Sequence, residues 1–424
     1  MKIAVVGLGH IGLPLAVQYA GRGHEVIGCD LDSRVVEAIN RGEPPHDDEP
    51  AVSELVPGLV RDGHLRATTD DAAGVREAEV VVVIVPVVVD EARQVDFSQI
   101  DAATTEVARG LQPGTLVIYE TTLPIGTTRD RLGPMLEAGS GLRAGTDFDL
   151  AFSPERVLVG RVLVDLRRYP KIVGGTTEQA TRRAVEFYGA VLDQGTEIRA
   201  MASAEAAEMT KLAETTYRDV NIALANEFAQ VADRRGIDVT EIISAANSQP
   251  YSHIHQPGVG VGGHCIPVYP HLLFRDEPDL RIPPLARLVN DGMAAYAVGQ
   301  LGEALGPLEG VPVLVLGIGY RGDVREDFFS SALLLREALV AAGATVYGHD
   351  PYFDTEHLLR RGFVPYDLAE PTPVRAAILQ ADHAAYRELD LATLPGLEVL
   401  LDGRNALDPE RATAAGVRYL GVGR

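Results

Sequence analysis

An apolar run, IAVV (residues 3–6), leads directly into Gly7-x-Gly9-x-x-Gly12 and then into a helical pattern. Strand, tight glycine turn and helix in that succession read as the opening of a βαβ unit that binds a dinucleotide. Gly7 permits the turn, Gly9 lets the backbone approach a pyrophosphate, and Gly12 lets helix and strand pack closely. The helix N-terminus adds free N–H groups and a dipole that favours an anion. Asp30 closes the next apolar run, VIGCD. A carboxylate there accepts hydrogen bonds from the adenine ribose and repels a 2′-phosphate, which favours NAD over NADP. Arg34 would counter that preference, and the alternative for Asp30 is that it only caps the helix beginning near Ser33. His10 and Ile11 within the turn, and Pro86 after the run VVVVIV, join the expected cofactor contacts.

Through the first half, short Val/Ile runs alternate with amphipathic stretches, the pattern of a parallel sheet flanked by helices. Strands are expected at KIAVVGLG, EVIGCD, EVVVVIV, TLVIYET and DLAFSP. From Ser203 to Arg235, 33 residues pass without proline or glycine. As a helix they would extend roughly 50 Å at about 1.5 Å per residue, with Ser203 placed to cap the start and Gly236 the end. A fresh α/β unit opens at VPVLVLGIGYRG (311–322) and continues through GATVYGHDP (343–351). Gly317-x-Gly319 follows its first strand, but the third glycine and the acidic partner read as out of register for a second NAD site.

Composition narrows the function. The 46% hydrophobic and 23% charged content is that of a globular protein, and a formal charge of −22 opposes nucleic-acid or anionic-membrane binding as the main activity. The longest apolar run, Val80–Val89, has ten residues and a proline, against the roughly 20 a membrane span needs. The N-terminus does not read as a signal peptide, and two cysteines are no disulfide framework. A cytoplasmic location is expected.

The two cysteines differ. Cys29 lies inside a strand run, whereas Cys265 sits in GVGVGGHCIPVYPHLL (258–273), behind a Gly-Gly-His turn. Glycines allow close backbone approach, and their N–H groups can stabilise a thiolate or an oxyanion. The residues alone leave a nucleophile and an inert turn cysteine both open. His253, His255 and His264 lack the cysteine or carboxylate companions of a zinc site, so no metal is expected.

The chain resembles the nucleotide-sugar 6-dehydrogenases, especially the branch acting on UDP-N-acetylhexosamines, through GLGHIGLPLA, ETTLPIGTT, FSPERVLVGR, PKIVGG, AEMTKLAETTYRDVN, PGVGVGGHCIP and LGIGYRGDVRE in that order. The resemblance implies an α/β fold of two Rossmann-like domains joined by a long central helix that forms a homodimer. It implies an NAD-binding domain over 1–200, a helical dimerisation region carrying the catalytic Lys and Cys over 201–305, and a nucleotide-sugar-binding domain over 306–424. The implied reaction oxidises a sugar CH₂OH to a carboxylate with two NAD. By resemblance Cys265 forms a thiohemiacetal and then a thioester, Lys211 stabilises the oxyanion, Glu155 directs water at the thioester, and Thr122 positions that water beside the cofactor. Arg156, Thr215, Tyr251, Gly262, Tyr320, Arg321 and Arg325 would join Glu155 and Lys211 around the substrate. The plainer readings are a solvated Lys211 and a Glu155 paired with Arg156 or Lys171.

Several positions depart from the family pattern. Tyr269 stands where relatives have an aspartate, Thr215 replaces an asparagine, Tyr251 and Phe328 fall on two substrate arginines, and Val87-Val88 replaces Thr-Pro. A phenol with a pKa near ~10 does not stand in for a carboxylate at neutral pH. The departures keep three further readings open: a partial or redox-neutral reaction on another nucleotide or sugar, a non-catalytic nucleotide-binding relative, or an unrelated oxidoreductase on the same fold.

Overall fold

The structure, a computed structural model, describes residues 1–46, 49–90 and 94–424. The chain forms two compact units, Met1–Ala213 and Glu214–Arg424.

The first unit carries β1 (Lys2–Val6), β2 (Glu25–Cys29), β3 (Leu65–Thr68), β4 (Val80–Val83), a small hairpin of β5 (Val88–Val89) and β6 (Val95–Asp96), then β7 (Leu116–Tyr119), β8 (Asp149–Phe152), β9 (Lys171–Gly175) and β10 (Ile198–Ala200). Apart from the hairpin they make one sheet in the order β10-β9-β8-β7-β4-β1-β2-β3. All five expected strands are present. Pairing is parallel except where β9 meets β8. Helices cover both faces, which is why Val80–Val83 is buried at every position and reads as a continuous apolar run rather than an alternation. The strand order reverses around β1, which lies between β4 and β2. In an open α/β sheet that switch point opens a crevice at the strands' C-terminal ends, where ligands bind.

The second unit holds a six-stranded parallel sheet. Its strands are β11 (Pro312–Leu316), β12 (Thr345–His349), β13 (Val364–Pro365), β14 (Ala376–Leu379), β15 (Val399–Asp402) and β16 (Arg418–Gly421), ordered β13-β12-β11-β14-β15-β16. The boundary between units falls inside the long helix, Ala204–Arg235. Ser203 caps that helix by accepting the Ala206 N–H at 3.2 Å, and Gly236 follows it at φ 65°. The second long helix, Ile282–Leu305, is tied to it by Arg287 and Asn290 on the Asp219 carboxylate and by Asn226 on the Asn290 side chain. Among the described residues no helix is long and apolar enough to cross a membrane.

Candidate active site

The glycine loop sits at the switch point. Gly7 has φ 95°, and a Cβ there would lie 2.7 Å from the Ile84 carbonyl oxygen just beyond β4. Gly12 opens the helix Gly12–Gly21, and a Cβ there would stand 1.9 Å from the Gly7 carbonyl oxygen. At Gly9 a Cβ would meet nothing within 4 Å. The backbone is therefore bare where the helix presents its N-terminus, the surface a pyrophosphate requires.

Asp30 follows β2. Its Oδ2 accepts the Leu8 N–H at 2.8 Å and its Oδ1 the Asp32 N–H at 2.9 Å. Each oxygen retains a second lone pair for a ribose hydroxyl, so the residue shapes the loop and can still hold the sugar. The helix Ser33–Asn40 is capped by Asp32, not Asp30. Asp32 also engages the Arg34 guanidinium at 3.0 and 2.7 Å. His10 packs against His46 with ring centroids 4.5 Å apart, Ile11 is half-buried, and Pro86 is exposed beyond β4. Thr122 is buried, and its neighbour Thr121 ties the segment after β7 to that after β4 by donating to the Val85 carbonyl at 2.6 Å.

A second group in the same unit surrounds Glu155. Lys171, the first residue of β9, donates to Glu155 Oε2 at 2.8 Å and to Glu120 Oε2 at 2.9 Å. Glu155 Oε1 accepts the Arg156 N–H at 2.6 Å, and Arg156 donates its side chain to the Pro170 carbonyl at 3.1 Å. Lys211, only 8% exposed, donates to the Glu155 main-chain carbonyl at 2.8 Å. Lys211 is thus not a solvated helix lysine, whereas the pairing of Glu155 with Lys171 and with the Arg156 N–H is real. One turn before Lys211, Glu208 accepts from Gly126 N–H, Thr128 N–H and Thr128 Oγ1 at 2.6 to 2.9 Å. This carboxylate fastens the loop after Thr122 to the long helix. Thr215, one turn beyond Lys211, is buried.

Sequence reasoning passed over Glu120 and Glu208 and saw Lys171 only as a possible partner. The signal was present. Glu120 ends the apolar run LVIY and Lys171 opens IVGG, and charges next to buried strands require partners.

The cysteine turn belongs to the second unit. Gly258 N–H donates to Asn226 Oδ1 at 2.9 Å, Val259 N–H to the Gly403 carbonyl at 3.2 Å, and Gly263 N–H to the Phe328 carbonyl at 3.0 Å. A Cβ at Gly262 would come within 2.8 Å of Tyr320 Cβ and 2.9 Å of the Phe329 carbonyl oxygen, and one at Gly263 within 3.0 Å of the Tyr320 ring. Glycines are needed here because the turn lies flat against the loop after β11. Cys265 is half-buried on that turn, and its carbonyl accepts the Tyr269 N–H at 2.9 Å as the helix Tyr269–Phe274 begins. The His264 ring stacks on Phe328 at 3.8 Å, with Nε2 2.5 Å from Glu326 Oε1. Burial pushes the Tyr320 phenol up, and its oxygen accepts from Arg321 Nε at 3.2 Å. Arg321 and Arg325 are exposed, and Tyr251 is 92% exposed. Cys29 is fully buried, and burial raises its thiol far above the ordinary range. Among the described residues no group of three His, Cys, Asp or Glu side chains is arranged to hold a metal.

One expectation for the second unit is corrected. The acidic partner is in register: Ile318 N–H donates to Asp350 Oδ2 at 2.7 Å, just as Leu8 N–H donates to Asp30. Asp350 is buried and also accepts from Gly319 N–H, Tyr352 N–H and His383 Nε2. His383 Nδ1 accepts the Asp323 N–H, so the ring proton sits on Nε2. Burial opposes ionisation of Asp350, but hydrogen bonds from His383 and the backbone outweigh it and hold the carboxyl below its usual range. This acid is committed to the loop and not offered to a ribose.

The fold and these residues define a dinucleotide-dependent dehydrogenase: a glycine loop with a ribose acid at the switch point of one sheet, and a second Rossmann-like sheet following the long helix. Three models of the UDP-glucose/GDP-mannose dehydrogenase family match the chain, the NAD-binding domain over residues 1–192, the central domain over 205–293 and the UDP-binding domain over 314–409. A UDP-N-acetyl-D-mannosamine dehydrogenase of Pyrococcus horikoshii is 36% identical over 437 residues, covering 100% of this chain and 99% of its own. An NDP-N-acetyl-D-galactosaminuronic acid dehydrogenase of Ralstonia solanacearum is 35% identical over 422 residues, covering 97% of each. The solved Pyrococcus horikoshii structure superimposes with a TM-score of 0.89 at 34% identity, over 100% of this chain and 99% of that one. The chain belongs to the UDP-glucose/GDP-mannose dehydrogenase family and is an NAD-dependent nucleotide-sugar dehydrogenase.

Proposed function

We propose that the protein oxidises the C6 hydroxymethyl of a UDP-N-acetylhexosamine-like nucleotide sugar to the uronic acid through a covalent intermediate on Cys265. The observation that carries this reading is the glycine turn that seats a half-buried cysteine against the loop Tyr320–Ser330 of the UDP-binding domain. NAD, when bound on Gly7, Gly9, Gly12 and Asp30, supplies the acceptor for the hydride removed at each of two oxidations. The protein's own part lies between them. The Cys265 sulfur adds to the aldehyde carbon as the C=O π bond opens, and the thiol proton ends on that oxygen, giving a thiohemiacetal whose carbon still bears a hydride to lose. The resulting thioester is opened by water, which returns the thiol and leaves the carboxylate. Lys211 places a cation at the carbonyl of Glu155, where it serves a developing oxyanion. Glu155, kept charged by Lys171, aligns the water together with Thr122. Tyr320 and Arg321 are assigned to the nucleotide sugar, with Arg156, Thr215, Tyr251, Gly262 and Arg325 around it. Residues 201–305 are assigned to homodimer formation, because Leu224, Phe228 and Val231 on the long helix and Ile282, Leu285 and Leu288 on the second leave apolar side chains exposed.

The test counts NADH formed per sugar consumed over a panel of UDP-, dTDP- and GDP-sugars, with Cys265→Ser beside the wild type. Two NADH per sugar are expected, with loss of acid formation in the variant. A single NADH with an aldehyde product would replace four-electron by two-electron oxidation, the alternative kept open by Tyr269 at the position of the family pattern's aspartate. An unaltered yield of acid from Cys265→Ser would remove the covalent step.

A further inference from the structure

Glu120 directly after β7, Glu155 in the segment after β8 and Lys171 at the start of β9 meet at one end of these neighbouring strands, inside the first unit. Lys171 is 5% exposed and Glu120 1%. The Lys171 ammonium bridges Glu120 Oε2 and Glu155 Oε2, and its Nζ also lies 4.8 Å from the centroid of the Tyr188 ring. Tyr19, from the helix Gly12–Gly21, and Tyr188, from the helix Glu178–Val191, both donate their hydroxyls to Glu120 Oε1. The Glu120 and Glu155 carboxyls are held next to one another by the shared Lys171 nitrogen, at 2.9 and 2.8 Å from it. Arg156 directs its guanidinium to the Pro170 carbonyl, and Lys211 its ammonium to the Glu155 carbonyl.

Charge balance decides what such a cluster holds. Two carboxylates on one ammonium leave a net negative charge at this buried contact, and two buried carboxyls held so close do not both ionise readily. One added proton makes the cluster neutral. The two carboxyls are not equivalent recipients. Glu155 has an N–H on Oε1 and an ammonium on Oε2, both of which favour its charged form. Glu120 lies deeper, and its phenol donors are weaker stabilisers of charge. Burial pushes Glu120 up. For Glu155 burial acts the same way, but the Lys171 charge outweighs it and holds the carboxyl below its ordinary value. Burial raises both phenols, so they remain neutral donors. A pair of carboxyls driven apart in this way divides into one acid and one base.

We propose that Glu120, Lys171 and Glu155 form one proton-holding unit, in which Glu120 carries the proton, Lys171 keeps Glu155 ionised, and both act as positioning residues for Glu155 and, through its carbonyl, for Lys211. The catalytic half of this assignment rests on the reading of Glu155 given under Proposed function; the protonation half does not. Glu155 enters the reaction already charged and aimed, without relying on bulk water for either.

Two measurements separate the halves. Infrared spectra of the intact enzyme at pH 7, free of substrate, are expected to show a buried protonated-carboxyl band that disappears in Glu120→Gln, and in Glu155→Gln as well because one carboxylate then balances Lys171, and that shifts in Glu120→Asp but not in Glu155→Asp. No band lost in a folded Glu120→Gln overturns the proton store. In the NADH assay, Lys171→Met leaves two carboxyls without their cation, so the acid limb of the kcat profile is expected to move up by about one pH unit. Lys171→Arg is expected to restore it, with KM for NAD unchanged in both. An unmoved limb in a folded Lys171→Met overturns the positioning role; should that variant not fold, an acid limb displaced in Lys171→Arg as far as in Glu120→Gln overturns it equally. Full turnover by Glu155→Gln, beside a wild-type band that Glu120→Asp shifts, would instead overturn the catalytic reading of Glu155 and leave the proton-holding unit standing.

Discussion

Asp71 carries a cost that burial imposes and nothing nearby relieves. It is the first residue of the helix Asp71–Glu77, where the helix dipole favours a negative charge, yet it is 5% exposed and its Oδ1 has no hydrogen-bond partner among the described residues. Burial first, then the charges of Glu106, Asp30 and Asp70, raise its carboxyl from 3.8 to about 6. The sign follows directly. Between those values the folded chain binds more protons at this site than the unfolded chain, so stability falls as pH rises through the window, and the whole cost is present above it. Asp71→Asn is therefore expected to raise Tm at pH 8, the gain corresponding to about 3 kcal/mol, since each tenfold change in proton affinity is worth roughly 1.4 kcal/mol. Near pH 4 the gain is expected to vanish. Melting curves of both proteins at the two pH values check this, and an equal gain at both would show that the effect is not electrostatic. Cys29, packed beside the same helix, illustrates what sequence does convey about single residues. Its place in an apolar run marked it as a strand residue, and it closes β2, fully buried. Cys265 stood out because glycines flank it. The partners of Glu155 were harder to see, because Glu120, Lys171 and Lys211 are up to 91 positions apart and are brought together only by strand order.

Elements show how far a pattern reaches. The five strands read from sequence are apolar runs ending in Gly, Pro or Asp. β3 is four residues with a polar alternation, and β10 is three residues largely open to solvent, so neither has a signal of its own. The second glycine loop was misjudged for a spatial reason. Its acid lies 33 residues after Gly317 against 23 for Gly7 and Asp30, because the loop Tyr320–Ser330 is inserted before the helix Ser331–Ala341. In the first loop the glycines do different jobs, and substitution separates them. Gly12→Ala places a methyl on the Gly7 carbonyl oxygen, so it is expected to cost about 3 kcal/mol or more in stability, as overpacking of rigid backbone does. Gly9→Ala has room for its methyl and is expected to keep the wild-type Tm. That methyl nevertheless stands on the pyrophosphate surface, so NAD affinity is expected to fall by about tenfold or more, near 1.4 kcal/mol. Melting and NAD titration on both variants check the contrast; equal losses of stability would mean that Gly9 is structural as well.

At the scale of the whole molecule the open question is what covers the apolar faces of the two long helices. Leu224, Phe228 and Val231 follow spacings of four and three along Ala204–Arg235, and Ile282, Leu285 and Leu288 follow spacings of three along Ile282–Leu305, which places each set on one side of its helix. Leu285 and Leu288 are 61% and 71% exposed. Rows of exposed apolar side chains on a chain of formal charge −22 mark a surface that a partner covers more often than water does. Sequence predicted the long helix to within a residue but not which of its sides is left uncovered, since that depends on how Arg287 and Asn290 lock the second helix against Asp219. If a second copy covers these residues, two carboxylates inserted there repel one another across the interface and are exposed harmlessly in a single chain. Leu285→Glu with Leu288→Glu is therefore expected to elute at the mass of one chain where the wild type elutes as two. Its Tm is expected to become independent of protein concentration, as linkage requires once assembly no longer contributes. The NAD loop lies in the other unit, so NAD affinity measured at low concentration is expected to be retained. A variant that still elutes as the wild type would assign the apolar faces to something other than a second copy.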